Sequence, residues 1–398
     1  MKKLLAIAIA LVLSQAIFHS CNEPLVDESV NDEISLKSAD GKKSYIVVLN
    51  DAELNAELAN QKGYEAKQEK AKSAAEKIMK RAGITDGELG FVYGTAIKGF
   101  SVKIAPGQLK KLQDDPSVDF IEENQVVTLV QPDVKITGKP APPTPVGQAI
   151  PWGITRVNGG VSGVGKIAWI IDTGIDLDHP DLTVNTALGK SFVVGITSPD
   201  DDNGHGSHCA GIVAAKNNTI GVIGVAAGAT VVPVKVLNKR GSGTYDAIIA
   251  GVNYVAATGK AGDVANMSLG GGISTALNSA VINAAATGIK FALAAGNEST
   301  SATTKSPASA NGSNIYTISA MATGDLWASY SNFGNPPVDF CEPGSSIYST
   351  YKGGGYATLS GTSMAAPHAA GILLLGNIRT DSNVNNDPDG NADPIGEL

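Results

Sequence analysis

Three short segments hold residue types that together could carry out acyl transfer. Asp172 lies in Ile170-Ile171-Asp172-Thr173-Gly174, where an apolar run ends on a carboxylate and a glycine turn. His205 lies in Gly204-His205-Gly206-Ser207-His208-Cys209-Ala210-Gly211, where small residues surround an imidazole at the start of a helical pattern. Ser363 lies in Gly361-Thr362-Ser363-Met364-Ala365-Ala366-Pro367, again where a helix begins. A serine hydroxyl is a weak nucleophile until a neutral imidazole takes its proton. That imidazole in turn needs a carboxylate to fix its tautomer and hold its charged form. Pro367 reads as part of the first helical turn, whose amides lack intrahelical partners and favour negative charge beside Ser363. A fourth segment, Ala294-Ala295-Gly296-Asn297, ends an apolar run on an amide that can donate to a developing oxyanion together with the Ser363 backbone N–H. Asp-Thr-Gly by itself also suits two carboxylates sharing a proton, but it occurs once here and that chemistry leaves the histidine and serine segments unexplained.

Such residues need a rigid frame. Beyond Trp152, apolar strand-like runs (167–171, 231–235, 264–267, 289–294, 315–318) alternate with Ala-rich helical ones (207–216, 247–258, 274–287). Near-continuous apolar strands separated by helices predict an α/β fold, a parallel sheet covered on both faces, with reactive groups gathered where strands end. A separate small α+β unit is predicted upstream. Its strands are Tyr45 to Leu49, Phe91 to Tyr93, Gly99 to Ile104 and Val118 to Ile121, with helices over 52–81 and 106–113, in the ferredoxin-like order β, α, β, β, α, β. Residues 131–146 hold five prolines in sixteen and read as an extended linker.

Lys2 and Lys3 precede an apolar run from Leu4 to Leu13, and Ser20-Cys21 follows, the layout of an export signal over 1–21 in which Cys21 is the candidate for lipidation. Residues 22–43 read as a polar tether. Residues 378–398 read as a flexible tail, Asp381 to Pro394 being rich in Asp, Asn and Gly, with a cation-binding loop there as the alternative. The formal net charge is -8 and no run of five like charges occurs, which excludes a nucleic-acid footprint and a basic membrane patch. Cys209 and Cys341 are expected as free thiols, although an oxidising compartment would permit a pair. Asp200-Asp201-Asp202 is expected as an exposed loop, and His208 as a structural residue.

The four reactive segments, in the order Asp, His, Asn, Ser, resemble the subtilisin family from about residue 148 to 371. The Cys209 position resembles proteinase-K-like members. Tyr93-Gly-Thr-Ala-Ile-Lys-Gly-Phe100, Asp115-Pro-Ser-Val118 and Ile121-Glu-Glu-Asn124 resemble the inhibitory propeptide domain of the same family. The resemblance implies a zymogen whose domain at 44–130 assists folding of a peptidase domain at 147–377 and blocks its cleft until autocatalytic cleavage, near Val130 or within the linker. It implies a serine endopeptidase with protein or peptide substrates, monomeric, and needing no catalytic cofactor. It further implies that a substrate adds as a strand between Gly241-Ser242-Gly243 and Ser268-Leu269-Gly270, with Ala295 and Gly296 walling an apolar pocket. Structural calcium would be held by side chains of Gln148, Asp181 and Asn218 and carbonyls of Lys216, Ile220 and Val222. The product would reach the bacterial cell envelope or the medium, the precursor being lipid-anchored if Cys21 is acylated. Phe340-Cys341-Glu342 departs from the small residues usual before Pro343-Gly344.

Overall fold

The strand Lys43–Leu49 carries an unbroken apolar run, and its alternate side chains go to two different places. Tyr45, Val47 and Leu49 join Phe100, Val102, Ile104, Ile78 and Met79 in a core internal to the small domain. Ile46 and Val48 point the other way and pack, with Tyr93 and Ile97, against the helices Tyr245–Thr258 and Thr275–Ala285 of the large domain. Both faces are therefore buried, which is why the run lacks polar alternation. The four antiparallel strands stand in the order Glu88–Gly94, Lys98–Ile104, Lys43–Leu49, Val118–Glu123. The helix expected over 52–81 is two, Ala52–Ala59 and Tyr64–Arg81. The break falls at Gly63, whose φ of 82° suits a residue without a Cβ.

The computed structural model describes Leu36, residues 41–130, the backbone of Val134–Lys135 and residues 147–398. The expected export segment with Cys21, most of the tether and most of the Pro-rich linker lie outside the described residues. No helix among the described residues is long and apolar enough to cross a membrane.

In the large domain, seven strands run parallel in the order Lys190–Ser191, Thr230–Lys235, Ile167–Asp172, Val264–Met267, Lys290–Ala294, Ile315–Ala322, Val338–Pro343. Trp169 and Ile171 face the two helices that meet the small domain, whereas Ala168 and Ile170 face His205–Ala214 and Thr362–Leu375. The chain leaves Ile167–Asp172 toward one side of the sheet and later returns to pair on its other side. Asp172 thus ends a strand at the point where the winding reverses, the place in an open α/β sheet where a crevice forms.

Residues 378–398 do not form the flexible tail expected of their composition. Arg379–Asn383 and Pro394–Glu397 pair antiparallel, and Ile395 pairs in parallel with Cys341, extending the sheet. Ile395 and Val384 close a small core with Met321 and the free, buried Cys341. The Asp/Asn-rich residues between these strands satisfy their own turn: the Asp387 carboxylate accepts from the N–H groups of Asp389 and Asp393, and Asp389 accepts from Asn391.

Candidate active site

Asp172 and His205 are fully buried, and His205 Nδ1 stands 2.8 Å from Asp172 Oδ1. The same Oδ1 accepts from Thr173 N at 2.7 Å, which fixes the carboxylate at the strand end. His205 Nε2 has no partner. Ser363 Oγ donates instead to Ser268 O at 3.2 Å, so the resting hydroxyl is turned away from the imidazole.

The pairing of Asp172 with His205 is held from behind by Asp201. Its Oδ1 accepts from Thr173 Oγ1 (2.9 Å), Asn203 N (3.0 Å) and Gly204 N (2.8 Å), and its Oδ2 from Ser207 N (2.9 Å) and Ser207 Oγ (2.6 Å). Thr173 Oγ1 in turn accepts from Gly206 N. One buried carboxylate therefore takes up the Ser207 amide in the first turn of the histidine helix and the Gly204 amide at its cap, and binds both to the turn after Asp172. The aspartate triplet expected as an exposed loop contains this residue. Three acidic residues in a row suggested solvent, and the better signal was an Asp four residues ahead of a histidine that opens a helix.

His208 and Cys209 keep structural surroundings. His208 Nε2 lies 3.1 Å from both Ile347 O and Ala357 O, and burial lowers its pKa to about 3, so the ring is neutral. Cys209 Sγ sits 3.4 Å from Ser363 O, and burial pushes the thiol well above its ordinary value.

Ser363 is the second residue of Thr362–Leu375, where backbone amides have no intrahelical partner. Pro367 lies past the first turn, not within it as expected. Lacking an N–H, it leaves Ser363 O without its helical donor. That carbonyl accepts from Ser268 Oγ at 2.8 Å and from Cys209 Sγ. Asn266 Nδ2 orients the Ser268 hydroxyl. Asn297 Oδ1 accepts from Thr362 N (2.8 Å) and Thr362 Oγ1 (2.9 Å), which turns its Nδ2 outward to Val130 O at 2.7 Å. Asn332, unnoticed in the sequence, clamps the turn beneath it: Nδ2 donates to Ala295 O and Glu298 Oε2, and Oδ1 accepts from the Glu298 and Thr300 amides.

The segment that ends the small domain occupies the cleft. Val126, Val127 and Thr128 pair antiparallel with Thr244, Gly243 and Ser242, and Leu129 N donates to Gly241 O at 3.0 Å. Ser268, Leu269, Gly270, Ala295 and Gly296 wall a pocket that Leu129 and Val130 also line. The ladder thus runs along the 242–244 edge, and 268–270 meets the segment as pocket wall. Val127 is buried against Tyr245. Glu122 accepts from Ser274 Oγ and Ala276 N, and Asn124 Oδ1 from Asp246 N, so the small domain caps both helices on which it rests.

The residues expected around calcium also meet. Gln148 Nε2 donates to Lys216 O (2.6 Å), Val222 O (3.0 Å) and Asn218 Oδ1 (3.5 Å), while Asp181 accepts from Asn218 Nδ2 and Val222 N. Three oxygens therefore surround one electropositive group, and the buried Asp181 carboxyl is raised from its usual value by desolvation. An all-oxygen set with a buried carboxylate fits a hard cation. The Ile220 amide bonds to Asn218 Oδ1.

This frame, with a buried carboxylate–imidazole pair and a serine opening a helix, defines an α/β hydrolytic site of the serine-nucleophile class. The sequence profile of the Subtilase family matches residues 165–379, and that of Peptidase inhibitor I9 matches residues 44–130. The chain belongs to the subtilase family of serine proteases and carries an I9 propeptide domain. A subtilisin-like serine protease, AsES, from Sarocladium strictum is 40% identical over 71% of either chain. Alkaline serine exoprotease A from Vibrio alginolyticus is 38% identical over 75% of this chain, which spans 55% of that relative's length. The solved structure of a cold-adapted subtilisin-like serine proteinase is 37% identical, with a TM-score of 0.56, and covers 61% of this chain and 96% of its own.

Proposed function

We propose that this chain is the zymogen of a serine endopeptidase and that its first substrate is its own Val130–Gln131 bond. One observation carries the reading: Asn297 Nδ2 lies 2.7 Å from Val130 O, so the donor suited to an oxyanion already holds the carbonyl that would become one. Ser363 Oγ rotates from Ser268 O to the carbonyl carbon of Val130, and His205 Nε2 takes its proton. Asp172 holds the Nδ1–H tautomer and stabilises the imidazolium. The tetrahedral oxygen draws on Asn297 Nδ2 and the Ser363 amide. Collapse expels the Gln131 amine, protonated by His205, and leaves an acyl-enzyme at Val130 that water hydrolyses by the reverse proton path. After the cut the small domain still fills the cleft and inhibits. External polypeptides would then lie as residues 126–130 do, with apolar side chains where Val127 and Val130 sit. The small walls at Gly270, Ala295 and Gly296 leave room for side chains larger than valine.

Calcium, bound by Gln148, Asp181, Asn218 and the carbonyls of Lys216, Ile220 and Val222, would supply charge neutralisation for the buried carboxylate and hold the loop that follows the histidine helix. Export belongs to the same reading, supported by Lys2, Lys3 and the apolar run after them.

The test compares wild type with Ser363→Ala. The wild type should yield a product beginning at Gln131, or at a residue trimmed further into the linker, that hydrolyses casein. Ser363→Ala should remain a folded, unprocessed precursor with self-cleavage slowed about 10⁶-fold, the size of the kcat loss measured in a related subtilisin. Processing by the alanine variant at the wild-type rate would overturn the proposal.

A further inference from the structure

The chain on the far side of the Val130–Gln131 bond also has a described partner. Val134 and Lys135, fourth and fifth after that bond, pair antiparallel with Leu359 and Thr358. They add a third strand to the hairpin of Ile347–Tyr351 and Gly355–Leu359. Four residues beyond Leu359 the same chain reaches Ser363.

This hairpin is fixed to the catalytic frame. His208 Nε2 lies between Ile347 O and Ala357 O, Ser349 Oγ donates to His208 O at 2.8 Å, and Thr350 Oγ1 donates to Ser207 O at 2.6 Å. One of its ends is thereby bound to the helix that opens with His205, and the other feeds the helix that carries Ser363. A polypeptide paired along its outer edge is held by the same elements that hold the base and the nucleophile.

We propose that the outer edge of Gly355–Leu359 is a docking strand for the leaving-group side of extended polypeptide substrates. It binds the main chain of the fourth and fifth residues beyond the cleaved bond. The proposal rests on the reading that Val130–Gln131 is the bond cut. A substrate would then be gripped on two separate edges, 242–244 before the cut and 358–359 after it. Strand addition of this kind recognises backbone amides and carbonyls and is nearly indifferent to side chains. The favoured substrate class is therefore an unfolded chain that continues at least five residues past the cut. Anchoring both flanks also lowers the entropy lost in placing the carbonyl against Ser363.

The experiment uses processed wild-type enzyme whose N-terminus has been trimmed past Lys135, so that its own chain leaves the edge free, and fluorogenic peptides that share one sequence up to the cut and carry two, three or five residues after it. A peptide anilide lacking any residue after the cut serves as reference. The expected result is a rise in kcat/KM of about tenfold from three residues to five, the worth of one or two net backbone hydrogen bonds. N-methylation of the fourth and fifth amides should cancel the rise, and exchanging their side chains should leave it. A flat series, or a gain that survives N-methylation, overturns the docking strand while anilide hydrolysis leaves the peptidase reading standing. Failure to cleave both anilide and peptides overturns both. A released small domain whose C-terminus is at or beyond Lys135, so that Val134 and Lys135 precede the first cut, also overturns it.

Discussion

The small domain and the sheet domain bury comparable strands by different means. Ile167–Asp172 is covered on both faces by helices of its own domain, and its end is locked by the buried hydrogen bonds of Asp201. Lys43–Leu49 has its own helices on one face only, and its other face is covered by the helices of the protease. Ion pairs at the small domain's surface, such as Lys43–Glu123, Lys70–Glu57 and Lys110–Asp114, are of the exposed kind that adds little. A domain of under 90 residues with one face supplied by another is marginal alone. The contrast teaches that the small domain is most stable where it is docked, and that its release removes half its support.

The sharpest way to separate the two regions is to damage the site without touching the inhibitor. Asn297→Ala should lower kcat about 10²- to 10³-fold, a magnitude known from a related subtilisin, with KM unchanged and precursor processing slowed in proportion. Steady-state kinetics and a processing time course measure it; an equal rise in KM would mean that Asn297 only binds the ground state. The converse damage is Phe100→Ala, which removes a buried ring from the small domain's internal core. It should cost that domain about 3–5 kcal/mol. The yield of processed enzyme should collapse, and the kcat of the molecules that do mature should stay at the wild-type value. A fall in kcat of matured enzyme would break the comparison.

The smallest effect tests the sheet domain's own liability. Glu342 is fully buried with neither carboxylate oxygen hydrogen-bonded, and burial pushes its pKa well above the ordinary value. The unfolded carboxyl titrates near about 4.3. The folded state thus gains from the neutral acid below that pH, and loses the gain as pH rises through the raised folded value. Glu342→Gln should leave Tm at pH 4 unchanged and raise it by about 2–4 °C at alkaline pH, the equivalent of roughly 1 kcal/mol in a domain of this size. Equal shifts at both pH values would show that ionisation is not the cause.

Much of the site was legible because its parts are local. A carboxylate ending an apolar run, an imidazole and a hydroxyl opening helices, and an amide after a glycine turn are each written within eight residues or fewer, and their types admit little other chemistry. The β, α, β, β, α, β order of the small domain was legible for the same reason, since period and turn residues are local signals. Residues 378–398 were misread because Asp, Asn and Gly build tight turns as readily as loose tails. Which occurs depends on whether a sheet edge such as Val338–Pro343 is available to receive the flanking strands.

The sequence by itself determined that a serine, a histidine and an aspartate would be set at strand and helix ends, because chemistry and backbone geometry are local. Only the tertiary structure decided that Val130 would face Asn297, that Asp201 would tie the histidine helix back to Thr173, and that Val134 and Lys135 would find an edge at Leu359 and Thr358. Those contacts join residues from tens to more than two hundred positions apart. They exist only once the sheet has fixed where each loop ends.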